Sequence, residues 1–211
     1  MQLSTCLYTS LYGEEMRKVD PEKHQAKLQQ ILEAAVMCFA EKGFRGTSTN
    51  EICAAAGMSP GNLFHYFPNK QAVIEAIAEE DRREMSERFA QLADEPDAIV
   101  AVERLAKDLL KQSADPVYAK IGVEVVAESL RNPEMAKLFA ASEASIKGDL
   151  VALLQRGIAQ GQIDATLDPK IAATWLIALI DGAVSRSVLD RDFKLRAYTP
   201  TLMRMIRRFL E

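Results

Sequence analysis

The apolar residues of this chain recur with the period of an α-helix over most of its length. Between Pro21 and Lys42 they fall on one helical face, at Leu28, Ile31, Leu32, Ala35, Val36 and Phe39. Gly43 then predicts the end of this helix, because glycine readily caps a helix in the left-handed conformation. Later apolar runs predict helices at about 70–93, 97–113, 117–131, 133–160, 168–190 and 197–210. No stretch alternates with period two for the length of a strand, so we expect an all-α fold of about nine helices.

Two short helices are predicted within residues 48–67. The run S-T-N-E that begins at Ser48 is a capping box, in which the serine and the glutamate each bind a free amide of the first turn. Gly57 ends this helix and permits a tight turn through its freedom at positive φ. Ser59 then caps the next helix, with Pro60 at its first position. Together with the helix at 21–42, the pair is typical of a helix-turn-helix.

The second helix of such a pair lies in the DNA major groove, with its first residues at the base edges. Asn62 can hydrogen-bond a base edge or a phosphate, and Phe64 can contact a thymine methyl group. Phe64 can instead be a core residue, and His65 a solvated surface residue; for Phe67 we expect the core. Lys70 supplies a cation just beyond this helix. The candidate DNA contacts are Ser48, Thr49, Asn50, Ser59, Pro60, Gly61, Asn62, Phe64, His65, Tyr66 and Lys70.

The net charge of −4 is distributed unevenly along the 211 residues. Residues 1–70 carry seven basic and seven acidic side chains, so the acidic surplus lies entirely in 71–211. A neutral amino-terminal segment on an acidic body is compatible with DNA binding. We expect domains at 21–70 for DNA and at 71–211 for effector binding and dimerisation, after a flexible extension at 1–20.

The composition argues against catalysis and against a bound metal ion or cofactor. The chain has two histidines and lacks a glycine-rich phosphate loop, a G-x-S-x-G motif and a metal-ligand cluster, so we expect no enzyme. Its three cysteines are odd in number and lack C-x-x-C spacing, which argues against disulfides and zinc. The start does not resemble a signal peptide, and the apolar run Ile171–Ile180 is too short to span a bilayer. We therefore expect a cytoplasmic protein with no membrane association, whose 171–184 segment is a helix covered on most sides.

The segment from Gly43 to Ile77 resembles the DNA-binding region of TetR-family regulators. It reads GFRGTSTNEICAAAGMSPGNLFHYFPNKQAVIEAI and departs from the family pattern at Cys53, Met58 and Phe64. Residues 153–184 are similar to the carboxy-terminal pattern of BetI- and AcrR-like members. The resemblance implies a homodimer formed by the last two long helices and an effector pocket among the middle helices. It also implies base contacts at Pro60, Gly61 and Phe64, and phosphate contacts at Thr49, Asn50, Asn62, His65, Tyr66 and Lys70.

Several residues of the body are candidates for that pocket, although apolar residues of this kind are more often plain core. They are Phe89, Leu105, Leu109, Tyr118, Phe139 and Trp175, with Glu124 and Glu128, which can face a cavity or solvent. The sequence hypothesis is a repressor that a small, mainly apolar effector releases from a palindromic operator on double-stranded DNA. The alternatives are a helical dimeric protein-interaction module, or an activator without a small-molecule effector.

Overall fold

The computed structural model describes residues 20–211, so the predicted extension at 1–20 lies outside the described residues except for Asp20. Within that range the chain forms nine α-helices and no strand, which confirms the predicted all-α fold. Their bounds are α1 (Pro21–Gly46), α2 (Thr49–Ala55), α3 (Pro60–Tyr66), α4 (Lys70–Leu92), α5 (Ala98–Gln112), α6 (Pro116–Ser129), α7 (Pro133–Ala159), α8 (Pro169–Leu189) and α9 (Leu195–Leu210).

Most helices begin where a short polar side chain accepts from the free amides of the first turn. Asp115, Asn132 and Asp168 each cap a helix whose first residue is proline, so the boundaries follow directly from the Asp-Pro and Asn-Pro pairs. α1 departs from the prediction at its end. Gly43 interrupts it at φ 72°, as expected of a glycine, but one further turn continues to Gly46.

Two apolar clusters hold the helices together. The amino-terminal cluster joins α1 to α4 around Ile31, Phe39, Ile52, Leu63, Val73 and other residues, and it includes Met135 of α7. The carboxy-terminal cluster joins α5, α7, α8 and α9 around Leu105, Leu154, Leu176, Ile206 and others. Ile121 and Val125 of α6 pack against the first cluster, which therefore draws on helices from both sides of the predicted domain boundary at 70/71.

α8 leaves much of its apolar surface uncovered by its own chain. Its buried residues are Ala172, Ala173 and Leu176, while Ile171 and Trp175 are 60% and 59% exposed. Among the described helices, α8 is long and apolar enough to span a membrane, with mean hydropathy 1.4 over an 18-residue window of which 17% is buried. Core helices of soluble proteins can share this length and composition. A broad apolar face of α8 is thus open in the isolated chain.

Candidate DNA-binding site

The capping box predicted at the start of α2 is present. Ser48 Oγ accepts from the amide of Glu51 at 3.3 Å, and the amide of Ser48 donates to the Glu51 carboxylate at 2.8 Å. Lys42 donates to the same carboxylate at 2.6 Å. Hydrogen bonds from Lys42, and then from the Ser48 amide and hydroxyl, lower the pKa of Glu51 to about 2. The first turn of α2 is therefore held to the last turns of α1 by a carboxylate that is ionised at neutral pH.

The turn between α2 and α3 has the geometry that its sequence predicts. Gly57 takes φ 61°, and the amide of Met58 donates to the carbonyl of Cys53 at 2.9 Å. Gln30 of α1 donates from its side chain to the carbonyl of Ala56 at 2.8 Å. The turn is therefore fastened both within itself and to α1, so α3 leaves it in a defined direction.

α3 presents two different faces. Leu63 and Phe67 are buried, 1% and 7% exposed, and anchor the helix in the amino-terminal cluster. The Phe64 side chain points outward and is 48% exposed, so the core reading of that residue is wrong. The other exposed DNA candidates are Ser48, Asn50, Ser59, Pro60, Gly61, Asn62 and His65, while Thr49 and Tyr66 are half-buried. These residues lie on neighbouring short helices, as a DNA-reading surface requires.

Sequence reasoning missed His24. Its ring stacks on Tyr66 with centroids 5.0 Å apart, and the His65 ring meets the same Tyr66 edge-on at 5.5 Å. The first turn of α1 therefore supports a candidate phosphate contact at the end of α3. Local sequence patterns hold no signal for this pair, because its members are far apart in the chain.

Lys70 is placed differently from the expectation of a free cation. Its half-buried ammonium donates to the carbonyl oxygens of Phe44 at 2.5 Å and Thr47 at 2.8 Å. Two of the three donors of the ammonium are thereby bound to the backbone between α1 and α2. The structure thus ties the start of α4 to the segment that leads into the helix-turn-helix.

Glu124 and Glu128, two of the predicted pocket residues, contact the end of α1 in this structure. Glu124 accepts from the amide of Phe44 at 3.1 Å. Glu128 is 3% exposed and pairs with Arg45 at 3.1 Å and with Arg131 at 3.5 Å. Both carboxylates are engaged because α6 packs along α1, a contact between distant segments that the helical pattern of α6 does not reveal.

The other pocket candidates are dispersed over the body. Leu105 is buried in the carboxy-terminal cluster, where the half-buried Phe89 and Leu109 pack against it. Tyr118 and Trp175 are 48% and 59% exposed on the surfaces of α6 and α8. Phe139 is half-buried on α7. The grouping of these residues around one effector pocket stays a prediction.

A groove of about 380 Å³ lies between α8 and α9. Its walls are mainly apolar, and on one side Phe193 and Tyr198 stack with centroids 4.2 Å apart. The lining residues are Ala178, Leu179, Gly182, Ala183, Arg186, Phe193, Tyr198, Thr201, Leu202 and Met205. We call this feature the α8–α9 groove; it continues the open apolar face of α8.

Comparison with known proteins agrees with this geometry in both halves of the chain. Residues 31–77 match the pattern of the bacterial regulatory proteins of the tetR family, and residues 100–211 match the carboxy-terminal region of BetI-type transcriptional repressors. The regulator UidR of Escherichia coli K12 is 27% identical over 157 residues, 74% of this chain and 79% of UidR. The repressor AcnR of Corynebacterium glutamicum is 26% identical over 158 residues, 75% of this chain and 80% of AcnR.

A solved structure extends the similarity to the whole fold. Salmonella enterica GusR superposes with a TM-score of 0.74 at 33% sequence identity, covering 88% of this chain and 95% of GusR. The second family match spans more than half of the chain, and it includes α6 to α9. The chain therefore belongs to the TetR family of transcriptional regulators, helix-turn-helix proteins that bind operator DNA as dimers and respond to small-molecule effectors.

Proposed function

We propose that this protein is a cytoplasmic repressor that binds a palindromic operator as a homodimer and leaves it when a small, mainly apolar molecule binds the body. The observation that carries the proposal is the division of α3 into two faces. Leu63 and Phe67 fix the helix to the core, while Asn62 and Phe64 stand exposed. A rigidly held helix with small residues at its tip can approach base edges closely.

The open face of α8 and the α8–α9 groove support a homodimer built from these two helices. The large apolar side chains of Ile171 and Trp175 are exposed. The small residues Ala178 and Gly182 allow close approach of another helix. Apolar surface of this extent is usually covered in a protein of this kind. Pairing of two copies about a two-fold axis buries it, and a stable interface is expected to exceed about 1,000 Å².

The mainly apolar character of the proposed effector follows from the residues at the border of the carboxy-terminal cluster. Met85 and Phe89 of α4 and Ile177 and Ile180 of α8 are half-buried and pack against that cluster. A ligand inserted among such side chains gains about 25 cal/mol per Å² of apolar area that it removes from water. The contact of α4 with the segment before α2, through Lys70, provides a path from the body to the DNA-binding helices.

Operator binding is tested with DNA selected in vitro from a random library by the full-length protein. Phe64→Ala is expected to lower affinity for the selected operator about tenfold, the cost typical of one lost base-pair contact, and to leave non-specific binding unchanged. Tyr118→Ala is the matched control, because Tyr118 is an equally exposed aromatic residue, 48% in both cases, on a different surface. Equal affinities for Phe64→Ala and the wild type contradict the assigned reading face.

The effector is tested by a thermal-shift screen of small molecules, followed by operator affinity with and without each stabilising compound. A true effector lowers operator affinity, and operator DNA lowers effector affinity by the same factor. A compound that saturates the body and leaves operator affinity unchanged contradicts the proposed release. An activator or a protein-interaction module would then explain the body better.

A further inference from the structure

The segment that leads from α1 into α2 is held from two sides by the body. We call residues 43–48 the α1–α2 corner. At Phe44 the amide donates to Glu124 of α6 at 3.1 Å, and the carbonyl accepts from Lys70 of α4 at 2.5 Å. The buried Thr47 closes the corner internally, since its hydroxyl donates to the carbonyl of Gly43 at 2.9 Å. Two helices of the body thus meet on one residue of the DNA-binding half.

The contact with α6 is close and has two points. A Cβ atom on Gly43 would lie 2.6 Å from Glu124 Oε1, so the carboxylate sits directly against the backbone of the corner. One helical turn later, Glu128 pairs with Arg45 at 3.1 Å. Glu128 is 3% exposed and also pairs with Arg131 of its own helix, which keeps this buried carboxylate partnered. Successive turns of α6 therefore hold successive residues of the corner.

A displacement of the corner is transmitted directly to α2, because no linker separates α2 from the end of α1. Thr47 is the residue after α1, and Ser48 is already the N-cap of α2. α2 is then connected to α3 by the turn at Ala56, which Gln30 binds. A shift of α6 along α1 must therefore move the corner and the two DNA-binding helices with it.

We propose that Glu124 and Glu128 are positioning residues for operator binding, which set the separation of the two recognition helices in the dimer. The inference rests on the proposed homodimer on two half-sites. Half-sites are spaced by the DNA repeat, so both helices dock only when their separation matches that spacing. If the corner is released, each helix-turn-helix samples more orientations, and the apparent affinity falls in proportion to the fraction that fits.

The test measures affinity for the selected operator and for versions lengthened or shortened at the centre by one or two base pairs. Each base pair changes the half-site separation by roughly 3.4 Å. The proteins are the full-length wild type, Glu124→Ala, which removes the acceptor of the Phe44 amide, and Glu124→Gln, which keeps an acceptor oxygen. Glu134→Ala is the control, since Glu134 is an exposed glutamate that pairs with Lys137 on α7. Hydrogen exchange at the Phe44 amide reports whether the contact has been broken.

We expect Glu124→Ala to bind the preferred operator about tenfold more weakly, as when the competent fraction falls to a tenth, and to discriminate less between spacings. Glu124→Gln and Glu134→Ala keep the wild-type affinity and spacing preference. A faster-exchanging Phe44 amide with unchanged affinity and spacing preference overturns the inference. Equal weakening at every spacing also overturns it, because a purely structural role would act that way.

A replacement variant and the behaviour of the wild-type protein separate failure of this inference from failure of the proposed function. If Glu124→Ala does not fold, Glu124→Asp takes its place, because its carboxylate is one methylene short of the Phe44 amide and leaves the surroundings filled. A wild-type protein that is monomeric, or that shows no preferred spacing, contradicts the proposed function itself. A wild type with a sharp spacing optimum that Glu124→Ala or Glu124→Asp retains contradicts this inference alone.

Discussion

Lys70 donates from its ammonium group to the carbonyl oxygen of Phe44, so the first residue of α4 closes the last turn of α1. The same ammonium binds the carbonyl of Thr47 at 2.8 Å. The sequence suggested a different role, in which this cation neutralises a DNA phosphate beyond the recognition helix. The two roles make different predictions for the salt dependence of DNA binding and for folding stability.

Lys70→Ala is expected to lower the free energy of unfolding by about 1–2 kcal/mol, because it leaves two carbonyl groups without their donor. If Lys70 acts mainly on the backbone, the slope of log affinity against log salt stays as in the wild type. Loss of a phosphate contact would reduce that slope by roughly one counterion. Denaturant titration measures the free energy of unfolding, and DNA titrations at several salt concentrations measure the slope. The control is Lys137→Ala, which removes a lysine that is 73% exposed.

Gly43→Ala is expected to destabilise the protein more than Gly57→Ala. Gly43 combines φ 72° with ψ 168°, a region that costs other residues about 1–3 kcal/mol, and its added Cβ would meet the Glu124 carboxylate at 2.6 Å. Gly57 also has positive φ, but a Cβ there meets nothing within 4 Å. Thermal or denaturant unfolding of the two variants gives the comparison. Equal destabilisation would contradict both the backbone cost at Gly43 and the cost of the contact with Glu124.

Gly182→Arg is expected to convert the dimer to a monomer. Gly182 lines the α8–α9 groove, and an added Cβ meets nothing within 4 Å, so the chain itself can fold with arginine there. In a two-fold interface the substitution buries an unpaired charge on each copy, at a cost of about 3 kcal/mol or more. Light scattering at micromolar concentration measures the mass.

Gly148→Arg is the matched control for this substitution. Gly148 is an exposed glycine of α7 that also has nothing within 4 Å of an added Cβ. The control therefore shares the change in helix propensity and charge, and it should stay dimeric. Monomers from both variants, or from neither, would place the interface elsewhere.

Asp181→Asn is expected to raise the melting temperature at pH 8 and to have little effect near pH 4. Desolvation, together with the nearby carboxylate of Glu143, raises the pKa of Asp181 from 3.8 to about 6. The folded state therefore binds a proton between about pH 4 and 6 that the unfolded chain has lost, and stability falls as pH rises through this window. Above about pH 6 the ionised carboxylate keeps its full destabilising effect, which asparagine removes.

Asp164→Asn is the control, and it is expected to lower the melting temperature at pH 8, opposite to the effect of Asp181→Asn. Hydrogen bonds from the Thr166 amide and hydroxyl lower the pKa of Asp164, so its charged form favours the folded state. Melting curves are compared at one protein concentration, because dimerisation makes the melting temperature depend on concentration. An Asp181→Asn variant that melts like the wild type at pH 8 contradicts the electrostatic assignment.

The local structure of the candidate DNA-binding site was predictable from short stretches of sequence. Ser48 with Glu51, the turn at Gly57 and the Ser59-Pro60 start of α3 are all interactions between residues within five positions of one another. Such interactions depend on backbone geometry that the helix itself supplies, so a local pattern identifies them. The outward position of Phe64 follows in the same way, since Leu63 and Phe67 already occupy the core face.

By itself the sequence therefore determined the all-α fold, most of the helix boundaries and the exposed face of α3, because caps, turns and helical periodicity act over a few residues. Only the tertiary structure decided that Lys70 binds the Phe44 carbonyl, that Glu124 and Glu128 serve the α1–α2 corner, and that the apolar face of α8 stays open. These outcomes join residues as many as 83 positions apart, or depend on what another helix fails to cover. They follow from how the helices pack against one another. The sequence of a helix with two acidic residues on one face does not indicate which distant residues will contact them.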